Sequence, residues 1–219
     1  MKIKGVLLFA ILALVFTSAV SAIAQDVPPP GAKFAPFPNP QPGSWWVIKG
    51  TTAEWQTRVE LKRVENGKFI TERGGREIEY TNEWNAFEDG WDQRTIRTKY
   101  SPHVRNFSFP LWPGKKWGGI VEWTGRAMLM TGGTYSEWAE AKRWERIRVP
   151  AGEFEAMRIE NLRGKIQSTC WYAVEVQRLV KCVSPTHPQT SWELIEFHLV
   201  GSPTAVQSEA VKLQEGGRR

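Results

Sequence analysis

The stretch "EWQTRVELKRVENGKFI", Glu54 to Ile70, decides the fold class. Trp55, Thr57, Val59 and Leu61 alternate with Gln56, Arg58, Glu60 and Lys62, and a period of two is the signature of a half-buried antiparallel strand. Asn66-Gly67 follows at once. That dipeptide accepts positive φ at both central positions of a two-residue hairpin, which places Phe69 and Ile70 on the returning strand.

"SWELIEFHLV" (Ser191 to Val200) repeats the alternation, with Ile195, Phe197 and Leu199 on one face. Further strand candidates are "SWWVIKG", "REIEYTN", "DQRTIRTKY", "WGGIVEWTGRAMLM", "WERIRV", "FEAMRIENL", "QSTCWYA" and "RLVKCV". The pattern predicts an all-β domain, an antiparallel meander of about ten strands with short turns. "TYSEWAEAKRWERIRV" is ambiguous, because Tyr135, Trp138, Ala141 and Trp144 also fit helical spacing, and a helical turn or a bulge is expected there. In "VPAG", Pro150 suits the second position of a type I turn. Gly152 can then take the left-handed conformation that closes a three-residue hairpin with a bulge.

The ends of the chain read differently. Lys2 and Lys4 precede the apolar run "GVLLFAILALVF", and small residues follow, which is the pattern of an export leader. Cleavage after Ala24 is expected, with Ala22 as the alternative site. The apolar run is short of the ~20 residues that a membrane span needs. Removal of residues 1–24 takes two lysines and lowers the net charge from +6 to +4. The sequence thus divides into a leader (1–24), an arm (25–43), one β domain (44–200) and a disordered tail (201–219). The arm "QDVPPPGAKFAPFPNPQPG" holds seven of the 14 prolines and is expected to be extended, a spacer or a segment hugging the surface. The expected location is the periplasm or the exterior, with no integral span once the leader is gone.

The only cysteines are Cys170 and Cys182. A turn centred on Val176 in "TCWYAVEVQRLVKC" sets Val174 opposite Arg178, Tyr172 opposite Val180 and Cys170 opposite Cys182. Direct cross-strand neighbours lie within disulfide reach, and an oxidising compartment favours the bond. Two buried free thiols are the alternative.

Few residues suggest chemistry. His103 and His187 sit in loops beside proline, His198 sits on a strand, and none has metal-ligand spacing. Glu88, Asp89 and Asp92 in "FEDGWDQR" miss the EF-hand pattern and read as a polar loop. No nucleophile motif is present, no cofactor is expected, and no enzyme activity is assigned. Basic residues stand singly among acids, which argues against a nucleic-acid partner. The unusual feature is 12 tryptophans. Core filling is the commoner use of strand aromatics. In a strongly curved sheet, however, Trp55, Trp84, Trp112, Trp117, Trp123, Trp144 and Trp171 are candidates to line an apolar ligand site.

"YSPHVRNFSFPLWPGKKW", "VPAGEFEAMRIE", "WYAVEVQRLVK" and "WELIEF" resemble, in order and spacing, a family of exported bacterial proteins of unknown function, TapB-like, over about residues 44 to 200. Its pattern is P-L-x-x-G-K-x-W, then V-P-A-G-x-F-x-x-x-R-I-E, then W-Y-A-P-E-V-G-R-x-V-K. This chain departs from it at Val174, where the pattern has Pro, and at Gln177, where it has Gly. The resemblance implies a sheet curled into a half-barrel or barrel, similar to periplasmic lipoprotein-carrier folds, and brings no catalytic site. Two functions follow as expectations. One is a non-enzymatic carrier for a lipid or other amphipathic ligand. The other is an assembly accessory that holds an envelope protein through a sheet edge or aromatic patch.

Overall fold

The computed structural model describes residues 27–89, 98–127 and 130–201. The expected leader, Asp92 of the acidic loop and the tail beyond Gly201 lie outside the described residues. The described chain forms twelve strands: β1 (Trp45–Gly50), β2 (Gln56–Glu65), β3 (Lys68–Arg73), β4 (Arg76–Thr81), β5 (Ala86–Asp89), β6 (Thr98–Val104), β7 (Lys116–Ala127), β8 (Met130–Val149), β9 (Gly152–Arg163), β10 (Ile166–Ala173), β11 (Arg178–Val183) and β12 (Trp192–His198). Each pairs antiparallel with its sequence neighbours. β1 also pairs with β12, from Trp45 opposite His198 to Gly50 opposite Trp192, so the meander closes into a barrel. The strand that sequence periodicity misses is β5, which is too short to alternate and meets β4 through one pair, Tyr80 with Ala86.

Local chemistry accounts for the turns. Asn66 and Gly67 take φ of 50° and 70°, and Glu65 pairs with Lys68, the expected two-residue hairpin. Val59 and Leu61 are buried while Arg58 and Lys62 are exposed, as the alternation requires. The turn at Pro150 differs from expectation: Val149 pairs with Gly152, so the loop has two residues, not three, and Gly152 takes φ of 142°.

The register shifts in six ladders, β1–β12, β10–β11, β2–β3, β5–β6, β7–β8 and β8–β9. Extra residues of this kind bend a strand and raise its twist, which a sheet needs in order to close on itself. One of them explains the helix-like spacing in β8. Ala141 pairs with Ile159 and Trp144 with Met157, so residues facing the same way are three apart across the bulge. Trp138 belongs to the other face and is 40% exposed.

The outer wall is charged. Arg63 pairs with Glu65 and Glu77, Lys62 with Glu60 and Glu72, Lys142 with Glu140 and Glu160, and Arg148 with Glu153. Exposed pairs of this kind contribute about 0–1 kcal/mol each, so their meaning is solvation rather than stability. A wall of ion pairs is the reverse of the apolar band that a lipid-embedded barrel presents.

One end of the barrel is plugged. The connections 82–85 and 105–115, the turn after β10 and the arm all lie there, because every second connection of a meander falls at the same end. Ala35 of the arm makes an isolated bridge to Leu111, and Phe107, Phe109 and Leu111 are buried in the main core cluster. Burying each such large side chain stabilises by roughly 1.5–3 kcal/mol. The arm therefore hugs the barrel.

Candidate functional site

The plug is held by side chains that cap backbone. Asn85 accepts from the Phe107 N–H (2.8 Å) and donates to the Phe107 carbonyl (3.1 Å), Glu83 accepts from the Phe109 N–H (3.1 Å), and Asn106 donates to the Trp84 carbonyl (3.1 Å). These bonds tie 83–85 to 106–109 and fix Trp84 with φ of 63°, a left-handed conformation that a bulky residue adopts only when its surroundings over-determine it. The indole points into the core. Its ring centroid lies 4.5 Å from Phe69, 5.4 Å from Trp46 and 5.7 Å from Tyr80, and its Nε1 donates to the Gln177 carbonyl at 3.0 Å.

Against this aromatic wall stands Arg178, the first residue of β11. Its guanidinium carbon is 4.4 Å from the Trp84 ring centroid, 5.1 Å from Trp46 and 5.9 Å from Tyr80. Its Nη1 is buried and has no hydrogen-bond partner, and no ion pair to Arg178 occurs among the described residues. Burial pushes its pKa below the ordinary arginine value, opposed by Tyr80 and assisted by the charge of Arg73. Arginine still carries its proton at neutral pH. The arrangement is a desolvated cation boxed by π-faces, an attractive geometry that leaves the hydrogen-bonding capacity of Nη1 unused while the Tyr80 hydroxyl serves the guanidinium elsewhere.

The candidate tryptophans fall in several places. Of the seven, Trp84 enters the cluster with Arg178. Trp112 sits buried on the plug with Lys115 over its ring at 4.5 Å, and Trp117, buried at the start of β7, donates its Nε1 to the Arg105 carbonyl of the plug at 3.0 Å. Trp144 holds the arm by donating to the Lys33 carbonyl (3.3 Å) with the Lys33 ammonium over its ring (4.8 Å). Trp171 donates to Glu145. Burial raises the Glu145 pKa, but that bond and the Arg143 and Arg158 charges outweigh it and hold the carboxyl below its usual range. Trp55 lies at the opposite end and donates to the Gln189 carbonyl (3.4 Å), and Trp123 is half-buried on β7. Trp46, which the sequence reading did not single out, donates to the Val176 carbonyl at 2.9 Å. A recurring use emerges: an indole N–H reaches across the fold to a distant backbone carbonyl and pins a connection to the barrel.

Cys170 and Cys182 form a disulfide with Cα atoms 4.1 Å apart, in the predicted pairing. Beyond them the register differs from expectation, since Tyr172 faces Leu179 and Ala173 faces Arg178. Val180 is the inserted residue, fully buried, and it shifts Arg178 by one position relative to the simple count. Gln177 has φ of 55°, and its side chain accepts from the Asn39 N–H of the arm at 2.6 Å. His103 packs its ring against Phe87 (5.5 Å), and burial together with Arg105 lowers its pKa. Among the described residues, no three His, Cys, Asp or Glu side chains gather as a metal group.

Comparison with known proteins gives little. No family model matches the chain. No curated protein matches it either. A solved structure from Parabacteroides distasonis, described as a candidate lipoprotein, is similar over 76% of this chain and 100% of its own, with 14% identity and a TM-score of 0.39.

Proposed function

We propose that the chain is an exported, non-enzymatic barrel that carries an apolar or amphipathic envelope ligand, in keeping with its sequence resemblance to TapB-like exported proteins. The observation that carries this reading is the closure of twelve strands. Eight strands enclose just enough space for their own side chains, and the interior widens with strand number. Large aromatics crowd one end, and the disulfide fits an oxidising compartment, as does the leader pattern.

The second reading, docking of an envelope protein, has a separate observation on its side. Ile120 (74% exposed), Trp138 (40%) and Leu162 (38%) share the outer wall of β7–β9, with Trp138 and Leu162 directly paired. A closed barrel offers it an aromatic patch rather than a sheet edge.

Native mass spectrometry of protein purified from the exported fraction tests both. The carrier reading expects adduct mass of lipid size that survives gentle activation. A clean apo mass together with a stoichiometric protein partner overturns it in favour of docking.

A further inference from the structure

Among the described residues, several guanidiniums are matched by acids: Arg63 by Glu65 and Glu77, Arg143 by Glu145, Arg158 by Glu160. Arg178 is the exception that matters. Its Nη1 is buried without a hydrogen-bond partner, its faces are covered by Trp46 and Trp84, and no described carboxylate pairs with it. A charged donor removed from water and left unmatched is costly unless something that binds there completes it. The matching chemistry is an oxyanion, because guanidinium N–H groups fit carboxylate and phosphate oxygens.

The surroundings fit an amphiphile better than a free ion. Arg178 stands at the margin of the apolar core, so an oxygen at Nη1 would be continuous with aromatic surface from Trp84, Phe69 and Tyr80. The ladders beside it are the thinnest among the described residues. β11 and β12 share two residue pairs, Lys181 with Glu193 and Cys182 with Trp192, which leaves Arg178 to Val180 outside that ladder. β4 and β5 share one, and it is made by Tyr80 itself. Nη1 is enclosed in this conformation, and these two seams have the fewest paired residues to part in admitting a ligand among the described strands.

We infer that Arg178 is the headgroup site of the barrel: its Nη1 receives one oxygen of a carboxylate or phosphate carried by an amphiphile, with the Tyr80 hydroxyl beside it and the tail along the aromatic core. This assignment rests on the carrier reading above.

The test uses the full mature chain and three probes below their aggregation limits: dodecyl phosphate, the uncharged dodecyl maltoside, and inorganic phosphate. Binding is measured by calorimetry for the wild type, Arg178→Met, Arg178→Lys and Tyr80→Phe, each checked for fold by circular dichroism. The expected result is that Arg178→Met weakens dodecyl phosphate at least about tenfold while dodecyl maltoside is unaffected. Arg178→Lys and Tyr80→Phe should show the same selective loss to a smaller degree, and they carry the test if the Met variant does not fold. Equal loss for both detergents, or no loss, overturns the headgroup site and leaves the carrier reading standing. No binding of either detergent to the wild type overturns the carrier reading itself. Inorganic phosphate binding as tightly as dodecyl phosphate assigns Arg178 to a free anion and overturns the amphiphile.

Discussion

Replacing Trp84 perturbs the aromatic cluster that ties the plug to the barrel. The residue is 3% exposed, packs against Phe69, Trp46 and Tyr80, supports Arg178 and donates to Gln177. Truncating a buried Trp to Ala costs about 3–5 kcal/mol. The orphaned carbonyl and the lost cation–π contact add about 1 kcal/mol more, so Trp84→Ala is expected to cost about 4–6 kcal/mol. Trp84→Phe keeps most of the packing and loses the N–H, for roughly 1–2.5 kcal/mol. The backbone gives a sharper discriminant. At φ of 63° an Ala is strained and a Gly is not, so Trp84→Gly should be more stable than Trp84→Ala by about 0.5–1 kcal/mol, against the usual order. The assay is urea unfolding followed by far-UV circular dichroism with the disulfide intact, comparing variants at equal m-value. A Phe variant as damaged as Ala would refute the packing role of the ring. An Ala variant more stable than Gly would refute the constrained backbone.

Three further outcomes are expected. The double substitution Cys170→Ser with Cys182→Ser opens a cross-link whose sequence separation is 12, and it should lose at most about 3 kcal/mol in the same unfolding assay, with no effect of reductant remaining. His103 is held below its ordinary pKa of 6.5, so the unfolded chain binds the proton more readily. Stability should therefore fall as pH drops through about 6.5, and His103→Phe should reduce that fall over pH 7.5 to 5. Gln177→Gly relieves the positive φ but removes the acceptor for Asn39, so hydrogen exchange at Asn39 should accelerate while the urea midpoint holds or rises.

The sequence carried the local part of this fold well. Asn66-Gly67 and the alternation before it name their own hairpin, because turn type and face are encoded within a few residues. Cys170 opposite Cys182 was legible for the same reason, whereas the insertion at Val180 was not, since a bulge depends on how the neighbouring strands must bend. The spacing of Tyr135, Trp138, Ala141 and Trp144 is read correctly only once the bulge in β8 is seen. Closure of β1 on β12 leaves no mark in either strand's pattern, because both would alternate in an open sheet too. The site was the least legible part. Arg178 looks like an ordinary polar strand position, and only the tertiary arrangement of Trp46, Tyr80 and Trp84 encloses it among aromatic rings.

The pairing of Trp45 with His198 has a consequence for biogenesis. The first and last strands of the barrel are partners, and contacts so distant in sequence cost the most loop-closure entropy and come slowly. A chain delivered from its N-terminus holds β1 and its growing sheet as bare edges until residues 192–198 arrive. Throughout that interval it can pair with a second copy, which is the hazard exposed edges carry. A chain stalled before β12 should accordingly appear as oligomers in pulse-chase gels, and a synthetic β12 peptide added in trans should disperse them.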